Sequence, residues 1–203
     1  MFASSGASEM IIEELIEDII SKSEKTIKRN LKKIKEKYPE ITEDDSLTIS
    51  SYTYESKDSN FSPYRLLNTS LVSKNRKNGL EKISKYLYIL LNALRKLKRY
   101  YPEPDNNYLY RCIRAKVNLM IDPLNKALVP YIKGNIKTFW GFTSTSPNAR
   151  MTYNFLGEKN NFKSGTIFTL TGDVWGYDIT LFNYFEEEEI LLKPERKIKM
   201  EYQ

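Results

Sequence analysis

The apolar period of this chain changes once, and that change limits the folds open to it. Up to Arg99, apolar residues recur at three- and four-residue steps. Beyond Pro102 and Pro104 they come instead in short runs bounded by turn residues. Helices followed by strands predict an α+β fold rather than alternating βαβ units. The first helix is expected over 9–37, on the repeat Ile12, Leu15, Ile16, Ile19, Ile20, Ile27, Leu31 and Ile34, with Ser8 as its N-cap. Acids crowd its start and lysines its end, the order that suits the helix dipole, so the basic run needs no ligand. Its apolar repeat is short for a coiled coil, so a core-facing helix is expected in preference to a partner-binding one. Tyr38-Pro39 ends it.

Thr42 opens a shorter helix reaching Tyr52-Thr53, 55–63 reads as a loop, and 64–71 as a further helix. A basic turn over 74–79 precedes a long amphipathic helix over 80–99, striped by Ile83, Leu87, Leu90, Leu91, Leu94 and Leu97. In the second part, strands are expected over 108–113, 136–143, 166–170, 178–181, 188–193 and 196–202. Helical stretches are expected near 117–128 and 148–155.

Composition narrows the chemistry. At 203 residues the chain suits one full core. It contains no histidine, which excludes Ser-His triads and most zinc sites. Cys112 is alone, so no internal disulfide can form. A net charge of +6 favours anionic partners without choosing among nucleic acid, dinucleotide and acidic protein. No apolar run is long enough to span a bilayer. Residues 1–8 lack a basic n-region and an apolar h-region, so no signal peptide is visible. The expected location is the cytoplasm, or a target-cell cytosol for a delivered effector.

Three features could carry a reaction. Glu186-Glu187-Glu188-Glu189 runs into Ile190-Leu191-Leu192, a run that reads as a strand buried on both faces and ended by Pro194. Strand alternation would put Glu187 and Glu189 on one face as a candidate acid pair; a solvated acidic turn is the plainer reading. Arg111 lies in an apolar strand, where a guanidinium needs an anionic partner, either a structural carboxylate or a bound phosphate. Phe142-Thr143-Ser144-Thr145-Ser146 ends a strand before Pro147, a place for turn and cap residues or for ribose contacts.

In order and spacing, Leu109-Tyr110-Arg111, then Gly134…Trp140-Gly141-Phe142-Thr143-Ser144-Thr145-Ser146, then Glu187-Glu188-Glu189-Ile190-Leu191 resemble the arginine–serine–glutamate class of mono-ADP-ribosyltransferases. Ser51-Tyr52-Thr53 and Leu67-Asn68 with Leu71 look like that family's helical preamble. The resemblance covers about residues 42–203 and implies a catalytic domain there, with 1–41 as a helical N-terminal extension. It departs from the family at Cys112, where glycine usually follows the arginine. It implies an α+β fold, N-terminal helices before a mixed, mainly antiparallel two-sheet β-core. It also implies NAD as substrate, no metal, and transfer of ADP-ribose to an arginine of a target protein with release of nicotinamide. Arg111 would hold the pyrophosphate, and Ser144 would bond the ribose and steady Glu189, with Thr145 and Ser146 as further cofactor contacts. Glu189 would accept from the ribose 2′-hydroxyl and stabilise the oxocarbenium. Glu187 would orient and deprotonate the incoming guanidinium, and Tyr184 or Phe185 would touch the protein substrate.

Other readings account for less. An NAD glycohydrolase on the same fold, with water as acceptor, shares every residue named. A glycosidase using Glu187 and Glu189 leaves Arg111 and Ser144 without roles. A basic nucleic-acid-binding module is suggested by net charge and 15 tyrosines, but the basic residues lie mostly on helices with apolar stripes.

Overall fold

The computed structural model describes residues 5–102, 108–113, 134–156, 165–185 and 187–199. They fall into two compact units, 1–98 with 179–187, and 99–178 with 188–203. Among the described residues no helix is long and apolar enough to cross a membrane.

The first unit is helical. Helix α1 runs Ser5–Lys37, so Ser8 lies inside the helix and does not cap it. Its buried positions are Ser23, Thr26, Ile27 and Ile34, while Ile12, Ile16 and Ile20 are exposed. Among its described side chains the buried ones lie in its second half, which is core-facing as the apolar repeat predicts. Helix α2, Glu43–Thr53, opens on a capping box in which Thr42 and Asp45 each bond the other's backbone N–H. Asp45 also takes the Lys96 ammonium at 2.5 Å, tying the end of the long helix to the start of α2. Helix α3, Pro63–Val72, has proline at its first turn, where the missing N–H costs nothing.

Helix α4 covers Arg76–Arg95, four residues earlier at both ends than the apolar stripe predicts. Arginine, lysine and asparagine from the supposed basic turn are compatible with its first turn, and Gly79 is accommodated as a contact residue. A Cβ there would sit 3.2 Å from the Ser70 Cβ of α3, so its absence lets the two helices close together. The chain returns to this unit late, over 179–187, where a 3-10 turn, Thr180–Phe182, places Phe182 fully buried. A strand over 178–181 is thus replaced by the end of one strand followed by this turn.

The second unit holds the strands: β1 Arg99–Tyr100, β2 Leu109–Ile113, β3 Ile136–Phe139, β4 Thr143–Thr145, β5 Thr166–Leu170, β6 Gly176–Asp178, β7 Ile190–Leu192 and β8 Arg196–Lys199. All described pairs are antiparallel. They form a four-stranded sheet in the order β1-β6-β7-β4 and two ribbons, β2-β5 and β3-β8. The run 136–143, expected as one strand, is two: β3 pairs with β8, while β4 pairs with β7. Trp140-Gly141-Phe142 between them is where the chain changes sheets. Helix α5, Ala149–Leu156, matches expectation, and the helical stretch near 117–128 lies outside the described residues.

Leu109, Leu170, Val174, Ile190 and Leu192 make the core of this unit. Strand β7 is buried at all three positions, as its unbroken apolar run predicts. Its neighbour β6 comes close because Gly176 carries no side chain. A Cβ there would lie 2.7 Å from Ile190 Cγ2 and 2.9 Å from the Leu191 carbonyl oxygen. Backbone cannot yield as a side chain does, so Gly176→Ala should destabilise by about 1–3 kcal/mol, read from the urea midpoint. An unchanged midpoint would mean that β6 and β7 separate without cost.

Candidate active site

Three strands of the second unit bring Arg111, Ser144 and Glu189 together. The end of β4 is stitched to β2 by two reciprocal backbone bonds, Tyr110 N–H to Ser146 O and Ser146 N–H to Tyr110 O, each 2.8 Å. That bridge fixes the neighbouring Arg111, whose Nη1 donates to the Ser144 carbonyl at 3.0 Å. The guanidinium also stands over the Phe139 ring, 5.9 Å from its centroid, a cation–π distance. The motif spacing gives no hint of Phe139, because the contact arises only once β3 and β2 are placed.

Side chains alternate along β4. Thr143 and Thr145 are buried and Ser144 between them is exposed. Ser144 pairs with Leu191 across the β4–β7 ladder. Two residues before Leu191, on the lead into the strand, Glu189 is its diagonal neighbour and within side-chain reach. The Ser144 hydroxyl donates to Glu189 Oε1 at 2.5 Å, a short, charge-assisted bond. Ser144 thus has its hydroxyl on the carboxylate and its carbonyl on the arginine.

Two other hydroxyls of the motif, those of Thr145 and Ser146, bond backbone groups. Thr145 donates to the Ile190 carbonyl at 2.6 Å, and Ser146 accepts from the Asn148 N–H at 3.1 Å, at the entry to α5. Both side chains are buried. Alternation accounts for Thr145, which faces away from Ser144.

Glu187 lies in the first unit, outside any strand, since β7 begins only at Ile190. Strand alternation therefore cannot be used to put Glu187 and Glu189 on one face. Glu187 is largely exposed, yet burial around its carboxyl raises its pKa above the ordinary 4.5. Within the same unit Tyr184 packs edge-on against Tyr54, centroids 5.6 Å apart, and against Phe185 at 5.0 Å. Phe185 is half exposed, on a turn held by its N–H donating to the buried Asn183 side chain at 2.8 Å.

No protein-family profile and no curated protein sequence matches this chain. Solved structures do. The ADP-ribosyltransferase HopU1 of Pseudomonas syringae matches over 91% of this chain and 80% of its own, at 17% identity and a TM-score of 0.60. The ADP-ribosyltransferase Vis of Vibrio splendidus, in complex with agmatine, matches over 90% and 77%, at 19% identity and a TM-score of 0.56. A variant of the eucaryotic mono-ADP-ribosyltransferase ART2.2, in complex with NADH, matches over 95% and 78%, at 17% identity and a TM-score of 0.53. The fold of this chain is that of the mono-ADP-ribosyltransferases.

The division of labour along β4 can be tested by stability alone. Thr145→Val keeps the shape but removes the donor to Ile190, and should cost about 1 kcal/mol. Ser144→Ala, at an exposed position, should stay within about 0.5 kcal/mol of the wild type. Denaturant titration of both decides it; the opposite ranking would mean that the Ser144–Glu189 bond is chiefly structural.

Proposed function

We propose that this protein is an NAD-dependent mono-ADP-ribosyltransferase that transfers ADP-ribose to an arginine side chain of a target protein and releases nicotinamide. The observation that carries this reading is the Ser144 hydroxyl donating to Glu189, with Arg111 anchored on the carbonyl of the same serine. The ADP-ribosyltransferase fold supports it, as does the Vis complex with agmatine, a small guanidinium compound.

In the proposed reaction the Arg111 fork binds the NAD pyrophosphate, since a planar guanidinium matches phosphate oxygens in pairs. The Ser144 bond orients Glu189, which accepts from the ribose 2′-hydroxyl. The glycosidic bond between ribose C1′ and nicotinamide breaks, its electron pair leaves on nicotinamide, and positive charge grows on the ribose. Glu189 stabilises that charge. A guanidinium nitrogen of the acceptor then bonds C1′, and Glu187 takes its proton. The raised pKa of Glu187 suits a base that must pick up a proton. Neither histidine nor a metal is needed for these steps.

Glu189 is required whichever acceptor attacks, whereas Glu187 serves only the guanidinium. Glu189→Gln should therefore lose both nicotinamide release and agmatine modification, by roughly 10²–10³-fold or more. Glu187→Gln should lose agmatine modification and keep slow nicotinamide release. Measured side by side, equal losses of both activities from Glu187→Gln would contradict the separate roles.

A pH profile adds a second check. Because burial raises the Glu187 pKa, its carboxylate is lost on acidification at a pH above the ordinary 4.5. Agmatine modification should fall with decreasing pH through that higher value, with no such inflection in nicotinamide release without acceptor. Parallel profiles for the two activities would remove Glu187 from the role of base.

A further inference from the structure

Resting on that reading, we infer that helix α1 is part of acceptor recognition: Asp18, acting through Tyr54, positions the Tyr184-Phe185 turn that precedes Glu187. The contacts all lie within the first unit. The Tyr54 hydroxyl donates to Asp18 Oδ2, and Lys22, one turn along α1, donates to the same oxygen at 3.0 Å. The Lys22 ammonium also lies over the Tyr54 ring, 5.4 Å from its centroid. The Tyr54 bond is the main influence holding the Asp18 carboxyl below its ordinary pKa.

Tyr54 is buried, and its ring meets that of Tyr184 edge-on at 5.6 Å. The preceding residue, Thr53, holds the backbone of the same tyrosine. Its hydroxyl accepts from the Tyr184 N–H at 3.0 Å while donating to the Ser50 carbonyl at 2.8 Å. Tyr184 in turn packs against the half-exposed Phe185. Two more contacts run from α1 and its end to the segment just before the turn. Asn30 donates to the Leu181 carbonyl at 2.8 Å, and the Tyr38 and Phe182 rings lie 6.0 Å apart.

A turn of aromatic residues without neighbours to lock it would sample several rotamers, and binding would have to order it at a cost in affinity. Here a hydrogen-bonded carboxylate fixes one ring, and that ring limits the next. The expected consequence is specific to the acceptor. Loosening the relay should raise the KM for the acceptor and leave NAD cleavage intact, because Arg111, Ser144 and Glu189 belong to the other unit. Asp18 and Tyr54 are positioning residues and touch no reacting atom.

The test uses the full chain with Asp18→Asn, Tyr54→Phe and the double variant, and Glu24→Gln as a control. Glu24 lies on α1 and makes an exposed pair with Lys28, away from this relay. Hydrogen exchange over residues 180–187 should be faster in each relay variant and unchanged in the control. In steady-state kinetics the agmatine KM should rise several-fold while nicotinamide release without acceptor stays at the wild-type rate. The double variant should match the single ones, because either change breaks the same bond. Tyr54→Phe keeps the ring and the fold, so it remains informative if Asp18→Asn folds poorly. Unchanged exchange in the turn, or faster exchange with an unaltered KM, would overturn the inference. A wild-type protein that releases no nicotinamide would instead sink the proposed function, and the exchange measurement would still decide whether α1 holds the turn.

Discussion

A serine on an edge strand, bonded through its hydroxyl to a glutamate and through its carbonyl to an arginine, is the contact on which the proposed chemistry depends. Its geometry is inherited from backbone pairing. The β4–β7 ladder sets Ser144 opposite Leu191, and the Tyr110–Ser146 bridge sets Arg111 beside Ser144. A one-residue slip in the β4–β7 ladder would turn Ser144 inward and Thr145 outward, and a slip at the bridge would move Arg111 away from Ser144. The buried hydroxyl of Thr145, bonded to the Ile190 carbonyl, opposes that slip. So does Gly176, which admits β6 against β7 and keeps β7 in the middle of its sheet.

The carboxylates meet different surroundings, and their proposed roles follow. Glu189 has a short bond from a hydroxyl, which holds its carboxyl group in place for its proposed part as the partner of developing positive charge. Glu187 has a raised pKa through burial, which favours taking up a proton. Two positions of one acidic run, separated by Glu188, would on the proposed reading supply an electrostatic stabiliser and a base.

Much of this was legible in the residues. The helix-to-strand change at Pro102–Pro104 gave the α+β fold, and the unbroken Ile190-Leu191-Leu192 run gave a strand buried on both faces. Arg111, Ser144 and Glu189 could be singled out by motif order, and the bonds from Arg111 to Ser144 and from Ser144 to Glu189 both start from side chains of that motif set. Where the chain switches sheets, periodicity was silent: β3 and β4 read as one strand because Trp140-Gly141-Phe142 breaks no apolar pattern. The span of α4 was misplaced because basic residues propagate a helix as readily as they make a turn. Phe139 under Arg111 and Tyr54 against Tyr184 are tertiary contacts between distant segments, which no local pattern encodes. The exposure of Ile12, Ile16 and Ile20 is likewise outside what a helical repeat can say, since the repeat shows a face and not what covers it.

The most direct test of the central claim is binding at the Arg111–Ser144–Glu189 site. Carba-NAD, whose nicotinamide–ribose bond resists cleavage, can be titrated while the melting temperature is followed. Ligand that binds only the folded state stabilises it by mass action, about 2.7 kcal/mol at a hundredfold excess over Kd. The wild type should show a concentration-dependent rise in Tm that Arg111→Ala largely loses. An equal rise in both proteins, or none in the wild type, would contradict an NAD site built on these residues.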